Sequence, residues 1–172
     1  VGAHHQGERV RAAVRIGLLT GGGDAPGLNA AIRAVTKALI GQCGAEVVGV
    51  LDGYLGLLEH RVRPLDWDAV SGIAALGGTL LGTTNKVSPL HWQGADRCDQ
   101  VVAYARGELG LDGLVAMGGD GTMAIAAALH AHGLPTVGVP KTIDNDIARV
   151  DRSFGFDTAV ARVAEALERL AT

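Results

Sequence analysis

The chain has 172 residues, of which 48% are hydrophobic and 19% charged, and its formal net charge is −3. That length buries a real core within about one domain, and two domains would be cramped. There is no basic excess and no apolar run near the ~20 residues that span a bilayer, so neither nucleic acid nor a membrane is expected as a partner.

The 26 glycines are about double the ~7% of average usage, and many cluster directly after apolar runs, where close backbone approach is useful. Cys43 and Cys98 stand alone without a CxxC spacing and are read as reduced core thiols of a cytoplasmic protein. The start lacks Met and the apolar stretch of a signal peptide; residues 1–13 are read as a flexible polar arm before a domain over 14–172.

In chain order, Val14 to Leu19 is the first strand, closed by the glycine loop Thr20 to Gly27. Leu28, Ala31, Ile32, Val35 and Leu39 then fall on one helical stripe, ended by Gly41 and Gly44. Glu46 to Leu51 is the second strand, which completes a βαβ unit. Asp66 to Leu76 is expected to be a helix, and Gly77 to Pro89 a loop passing over a site. Cys98 to Leu109 has helical spacing and leads to a strand at Leu114 to Met117. A helix at Thr122 to Ala131 and a strand at Thr136 to Val139 follow. Val160, Val163, Leu167 and Leu170 form the stripe of a last helix, expected to be capped by Asp157 or Thr158. Alternation of strand with helix gives an α/β fold: an open parallel sheet with helices on both faces.

Ligands of such sheets sit beyond the carboxyl ends of the strands, so the loops 20–27, 118–122 and 141–146 share one rim. The first loop has glycines at the phosphate-loop spacing, Gly22 to Gly27, but Leu28-Asn29 stands where Lys-Ser/Thr would be. What remains is a glycine loop feeding a helix N-terminus, either a phosphate cradle or a plain tight turn. In Gly118-Gly119-Asp120-Gly121-Thr122 one carboxylate stands among small residues. A polyphosphate can lie on that backbone while Asp120 meets Mg²⁺; the competing reading makes Asp120 a helix cap. Asp144 and Asp146 lie beside Lys141 and Thr142, a set suited to activating an alcohol next to a transferring phosphoryl group, or to capping turns. The six His have no ligand spacing backed by acids or Cys, and His130 and His132 are expected at the surface.

Together TGGGDAPGLNAAIRA at 20–34, DGYLGL at 52–57, GGTLLGTT at 77–84, GGDGT at 118–122 and PKTIDND at 140–146 resemble 6-phosphofructokinases. The likeness runs in order from Arg15 to Leu170. It implies phosphoryl transfer to the 1-hydroxyl of fructose 6-phosphate, with Mg²⁺, in a glycolytic enzyme that is a homo-oligomer at full length. Under that resemblance Asp144 is the base, Asp146 and Lys141 assist it, and Thr142, Ile143 and Asp144 line the sugar site. Asp120 is the Mg²⁺-associated acid. Gly22, Gly23, Tyr54, Asn85, Lys86, Gly119, Gly121 and Thr122 line the phosphoryl donor.

Two departures bear on that donor. Bacterial allosteric members carry Arg where this chain has Asn85, so Lys86 is left to supply the charge without a bidentate fork. In the family, Gly after GGD accompanies ATP and Lys before TIDND accompanies pyrophosphate; this chain has Gly121 and Lys141. A carboxylate at 121 would crowd and repel a nucleotide's α-phosphate, so its absence favours ATP, with pyrophosphate the alternative. Arg33, Lys37 and Arg61 roughly match basic effector positions and are read as solvated charges. The resemblance implies a second α/β domain that supplies most contacts to the sugar phosphate, and that domain is expected to be missing from this sequence. The chain is therefore expected to bind nucleotide with little turnover, and a non-catalytic nucleotide-binding domain is the further alternative.

Overall fold

A computed structural model describes residues 13–171, and the arm expected over 1–13 falls almost wholly outside them. Six strands form one sheet in the order β3-β2-β1-β4-β5-β6. They are β1 (Arg15–Thr20), β2 (Glu46–Val50), β3 (Val62–Leu65), β4 (Gly113–Gly118), β5 (Thr136–Thr142) and β6 (Phe154–Gly155). Every pairing is parallel except β2 with β3. The helices are α1 (Leu28–Cys43), α2 (Tyr54–Leu58), α3 (Cys98–Ala103), α4 (Asp120–Ala131) and α5 (Phe156–Leu170).

Neighbouring strand residues point to opposite faces, and both faces are covered along β1, β2 and β4, whereas β5 leaves Val137 64% exposed. Leu19, Val48 and Ala116 face a core completed by Val101 of α3 and by Ile125 and Leu129 of α4. Their sequence neighbours Leu18, Val47 and Met117 face Leu28 and Ile32 of α1, together with Val70, Ile73 and Leu81. This two-faced burial is why β1, β2 and β4 read as continuous apolar runs.

The chain moves outward from β1 through β2 to β3, and in the other direction from β4 through β5 to β6. The order therefore reverses between β1 and β4, which pair directly, Leu18 beside Val115 and Thr20 beside Met117. Such a switch point opens a crevice beyond the strand ends. Here the loops after β1 and β4 flank it.

Several expectations need correction. The segment Asp66 to Leu76 is a series of turns with a single 3₁₀ turn at Ile73–Ala75. Gly72 sits at φ 73°, and Asp66 Oδ1 accepts from the Ala69 amide at 2.7 Å, a closed local turn that stops helix propagation. Strand β3 was hidden by Pro64, which is tolerated because β3 is the sheet's edge. The five residues of α2 and the two of β6 are too short to give periodicity. The helix at Cys98 changes to a π-helical turn over Tyr104–Glu108.

Helix α1 passes through Gly41 and ends at Gly44, whose amide returns to the Ile40 carbonyl at 3.2 Å. Helix α5 begins after Gly155 with no side-chain cap, so neither Asp157 nor Thr158 fills that role. Cys98 is buried as expected, but Cys43 is exposed, because the end of α1 over 41–44 is exposed throughout. Among the described residues no helix is long and apolar enough to cross a membrane.

Candidate functional site

The loop after β1 is held in place by buried hydroxyls and amides. Thr20, with no exposed surface, donates its hydroxyl to the Gly82 carbonyl at 2.7 Å, and Thr83 donates to the Gly22 carbonyl at 2.6 Å. The Gly21 amide donates to Met117 and the Gly22 amide to Thr84, at 2.8 and 3.1 Å. Buried Asn29, on the first turn of α1, donates to the Leu76 and Gly77 carbonyls and accepts from the Leu80 amide at 2.6 Å. The loop over 77–84 is thereby bound to the β1 loop, and Asn29, read earlier only as a departure from a phosphate-loop pattern, is its main fastener.

After β4, the chain enters α4 at Gly119, the residue that caps it. Asp120 is the first helical residue, exposed, and makes no capping hydrogen bond, so the capping reading is set aside. A side chain at Gly118 would collide with the Thr122 hydroxyl, whereas one at Gly121 would meet nothing within 4 Å. Gly118 is thus demanded by packing, and Gly121 is not.

Between these loops lies a cleft of about 470 Å³. Gly22, Tyr54, Asn85 and Lys86 line one side, and Gly119, Gly121 and Thr122 the other. Seven of the eight positions expected at the phosphoryl donor therefore meet in one place. Gly23 is not in the cleft lining; its carbonyl instead accepts from the Lys141 ammonium. Leu90, Ala124 and Ile125 add an apolar wall that no motif had indicated. Tyr54 is 3% exposed and donates its hydroxyl to the Thr122 carbonyl at 2.8 Å. Burial pushes its phenol well above the ordinary value of 10, so it stays a donor at neutral pH.

Strand β5 runs three residues beyond the expected Val139 and carries Lys141 and Thr142 at its end. Lys141 is buried, and burial lowers its ammonium pKa, opposed by the charge of Asp24. Thr142, Ile143, Asp144 and Asp146 lie outside the cleft lining. The Asp144 amide donates to Thr142 Oγ1 at 3.1 Å, and that hydroxyl stands 3.5 Å from Asp144 Oδ2. Asp144 and Asp146 are both exposed.

Between them Asn145 adopts φ 54° and points inward. It accepts from the Ser153 amide at 2.9 Å and donates to the Asp151 carbonyl at 3.2 Å, while the Ser153 hydroxyl donates to the Thr142 carbonyl. Asn145 is the anchor that leaves its two acidic neighbours facing solvent. Ser153, eight residues on, gave no signal of that role.

Of the three basic residues read as solvated, Arg61 pairs with Asp52 at 2.6 Å and Glu59 at 2.9 Å, and Lys37 lies 4.4 Å over the Trp67 ring. A cluster the sequence did not reveal lies elsewhere: His132 meets Asp99 at 2.6 Å and shares a small space with Asp96 and Cys98.

Comparison with known proteins gives one family, whose model, described as phosphofructokinase, matches residues 15–172. A Streptomyces coelicolor protein named ATP-dependent 6-phosphofructokinase 3 is 53% identical over 162 residues, covering 92% of this chain and 46% of its own. An Amycolatopsis methanolica protein named pyrophosphate–fructose 6-phosphate 1-phosphotransferase is 46% identical over 159 residues, with the same two coverages. The crystal structure of Pichia pastoris phosphofructokinase in the T-state superposes with a TM-score of 0.82 at 31% identity, over 92% of this chain and 18% of that one. The chain thus spans about half the length of the curated relatives it matches.

Proposed function

The chain belongs to the phosphofructokinase family, and on that premise we propose that it is the nucleotide-binding half of an ATP-dependent 6-phosphofructokinase. The observation that carries the choice of ATP is the open position at Gly121. It lies in the cleft wall on the first turn of α4, where a Cβ meets no protein atom within 4 Å. Since packing does not require glycine there, the space serves the ligand. The start of α4 adds unpaired amides and a favourable dipole for phosphate, and the apolar wall at Leu90, Ala124 and Ile125 suits a base or ribose face.

Asp120 is read as the Mg²⁺ acid: its exposed carboxylate is not spent on capping and it stands on the first turn of α4, between Gly119 and Gly121 of the cleft although itself outside the lining. Asp120 would hold the ion, whose chemistry would be to offset the negative charge of the phosphoryl donor. The chain's own residues do the rest. Gly22, Gly119 and Gly121 give the phosphates backbone to lie on, and Lys86 brings a positive charge to the rim.

Asp144 takes the proton from the sugar's 1-hydroxyl as that oxygen bonds to the terminal phosphorus of ATP, and the bond from that phosphorus to the bridging oxygen breaks, leaving ADP in the cleft. Asp146 adds negative charge beside it, and Lys141 offers an ammonium near the transferred group. Thr142 and Ile143 border the sugar. Asn145 and Ser153 hold this loop so that the acids stay outward. By this reading the chain alone binds MgATP and turns over little, and the whole protein works in the cytoplasm.

A second reading, with pyrophosphate as phosphoryl donor, draws on Lys141 at the end of β5 and on relatives bearing that name. Calorimetric titration with MgATP and with Mg-pyrophosphate separates the two. Binding of MgATP alone supports the proposal; preference for pyrophosphate overturns it.

A further inference from the structure

We propose that Asp96, Cys98 and His132 form a binding site for a divalent transition-metal ion of the zinc class, fastening the start of α3 to the end of α4. One ligand atom from each residue lies within 4.8 Å of the other two. Bonds to zinc are about 2.0–2.3 Å long, so rotations moving these atoms by roughly an ångström bring all three into range.

The local structure prepares the set. Asp96 Oδ1 accepts from the Cys98 amide at 2.8 Å, which holds carboxylate and thiol side by side at the first turn of α3. His132 is the residue that ends α4, its amide bonded to the Ala128 carbonyl at 3.0 Å. Asp99 grips the imidazole through Nδ1 at 2.6 Å, the kind of carboxylate contact that orients a ligating histidine.

The chemistry of the set selects the ion. A thiolate, an imidazole and a carboxylate suit zinc or cobalt, whereas magnesium and calcium take oxygen ligands throughout. Cys98 is buried while Asp96 and Asp99 are exposed, so the site has a closed floor and an open approach. Binding displaces the Cys98 proton to solvent, and three protein ligands leave one position for water. The site is separate from the nucleotide cleft: Asp120 and His132 stand at opposite ends of α4, whose twelve residues span about 18 Å. An ion here clamps the end of α4 remote from the Gly118–Thr122 loop.

The test is a Co²⁺ titration of the chain carrying Cys43→Ser, which leaves Cys98 as the one thiol of the two in the sequence. A thiolate-to-cobalt charge-transfer band that saturates at one ion per chain is expected, and Zn²⁺ should bleach it. His132→Gln and Asp96→Asn should each weaken Co²⁺ binding at least tenfold, and Cys98→Ser should remove the band. Because Cys98 lies in the core, the decisive variant is His132→Gln, at a site on the surface, with its fold checked by circular dichroism. Absence of a thiolate band, or a band of unchanged affinity in His132→Gln, overturns the proposal.

Discussion

The Tyr54 hydroxyl donates to the Thr122 carbonyl at 2.8 Å, joining the start of α2 to the first turn of α4. Both residues line the cleft and both are buried, so the bond braces its two walls against each other. Tyr54→Phe keeps the ring and removes the donor. We expect a loss of about 1 kcal/mol in urea unfolding, the usual net worth of such a bond. A several-fold rise in the MgATP Kd should accompany it. An unchanged Kd would mean that the wall is fixed by packing alone.

Lys141 offers a test by pH. Burial lowers its pKa in the folded state below the ordinary 10.5, with the charge of Asp24 partly opposing. Below the folded pKa both states carry the proton and the full cost of burying the charge applies. Between the folded and unfolded values the unfolded chain binds more protons, so stability rises with pH; above both values the cost is gone. Relative to Lys141→Met, the natural chain should therefore gain stability as pH climbs from neutrality towards 10.5. Denaturant midpoints for the two proteins at several pH values would reveal it, and a constant difference would rule it out.

Much of this site could be read from the sequence because its chemistry is local. A glycine cluster after an apolar run needs only adjacent residues to suggest a loop at a strand end, and three such loops on one sheet must share a rim. The fasteners were not legible for the opposite reason. Asn29 meets the carbonyls of Leu76 and Gly77, and Thr20 meets that of Gly82, contacts 47 to 62 residues apart that no short pattern encodes. His132 approaches Asp99 across 33 residues by the same route. Strand β3 gave no signal, because Pro64 fits only an edge strand and sequence does not say which strand will be the edge. The segment 66–76, expected to be a helix, does bury Val70 and Ile73, but on turns.

Gly121→Asp separates fold from ligand. The position has room for a side chain, so unfolding should change little. The added carboxylate meets the nucleotide phosphates, and a tenfold or greater loss of MgATP affinity is expected, equal to about 1.4 kcal/mol. Titration calorimetry on the folded variant reads this directly. Retained affinity would remove the main support for ATP as phosphoryl donor.

Asp144→Asn distinguishes chemistry from binding. The amide keeps the size and can still receive the Thr142 hydroxyl, but it accepts no proton. Phosphoryl transfer to fructose 6-phosphate, at whatever rate the protein supports, should fall by roughly 10²–10⁴, the usual share of a general base. The MgATP Kd should hold, since Asp144 lies outside the cleft lining. If Asp146→Asn gave the larger loss, the two roles would be exchanged.

Two leucines of similar helical setting should differ sharply on truncation. Leu129, on α4, has no exposed surface and packs into the core that α3 and α4 build on one face of the sheet. Leu129→Ala removes buried methyls and leaves a cavity, so a loss of roughly 2–5 kcal/mol is expected. Leu167, on α5, is 60% exposed, and Val160, Val163 and Leu170 on the same stripe are each more than half exposed. Its truncation leaves no cavity, and alanine is the better helix former, so unfolding should shift by less than about 0.5 kcal/mol. Chemical denaturation of both variants measures the contrast. A large loss at Leu167 would mean that the α5 stripe is covered in solution, and sedimentation of the same samples would tell whether a second copy of the chain covers it.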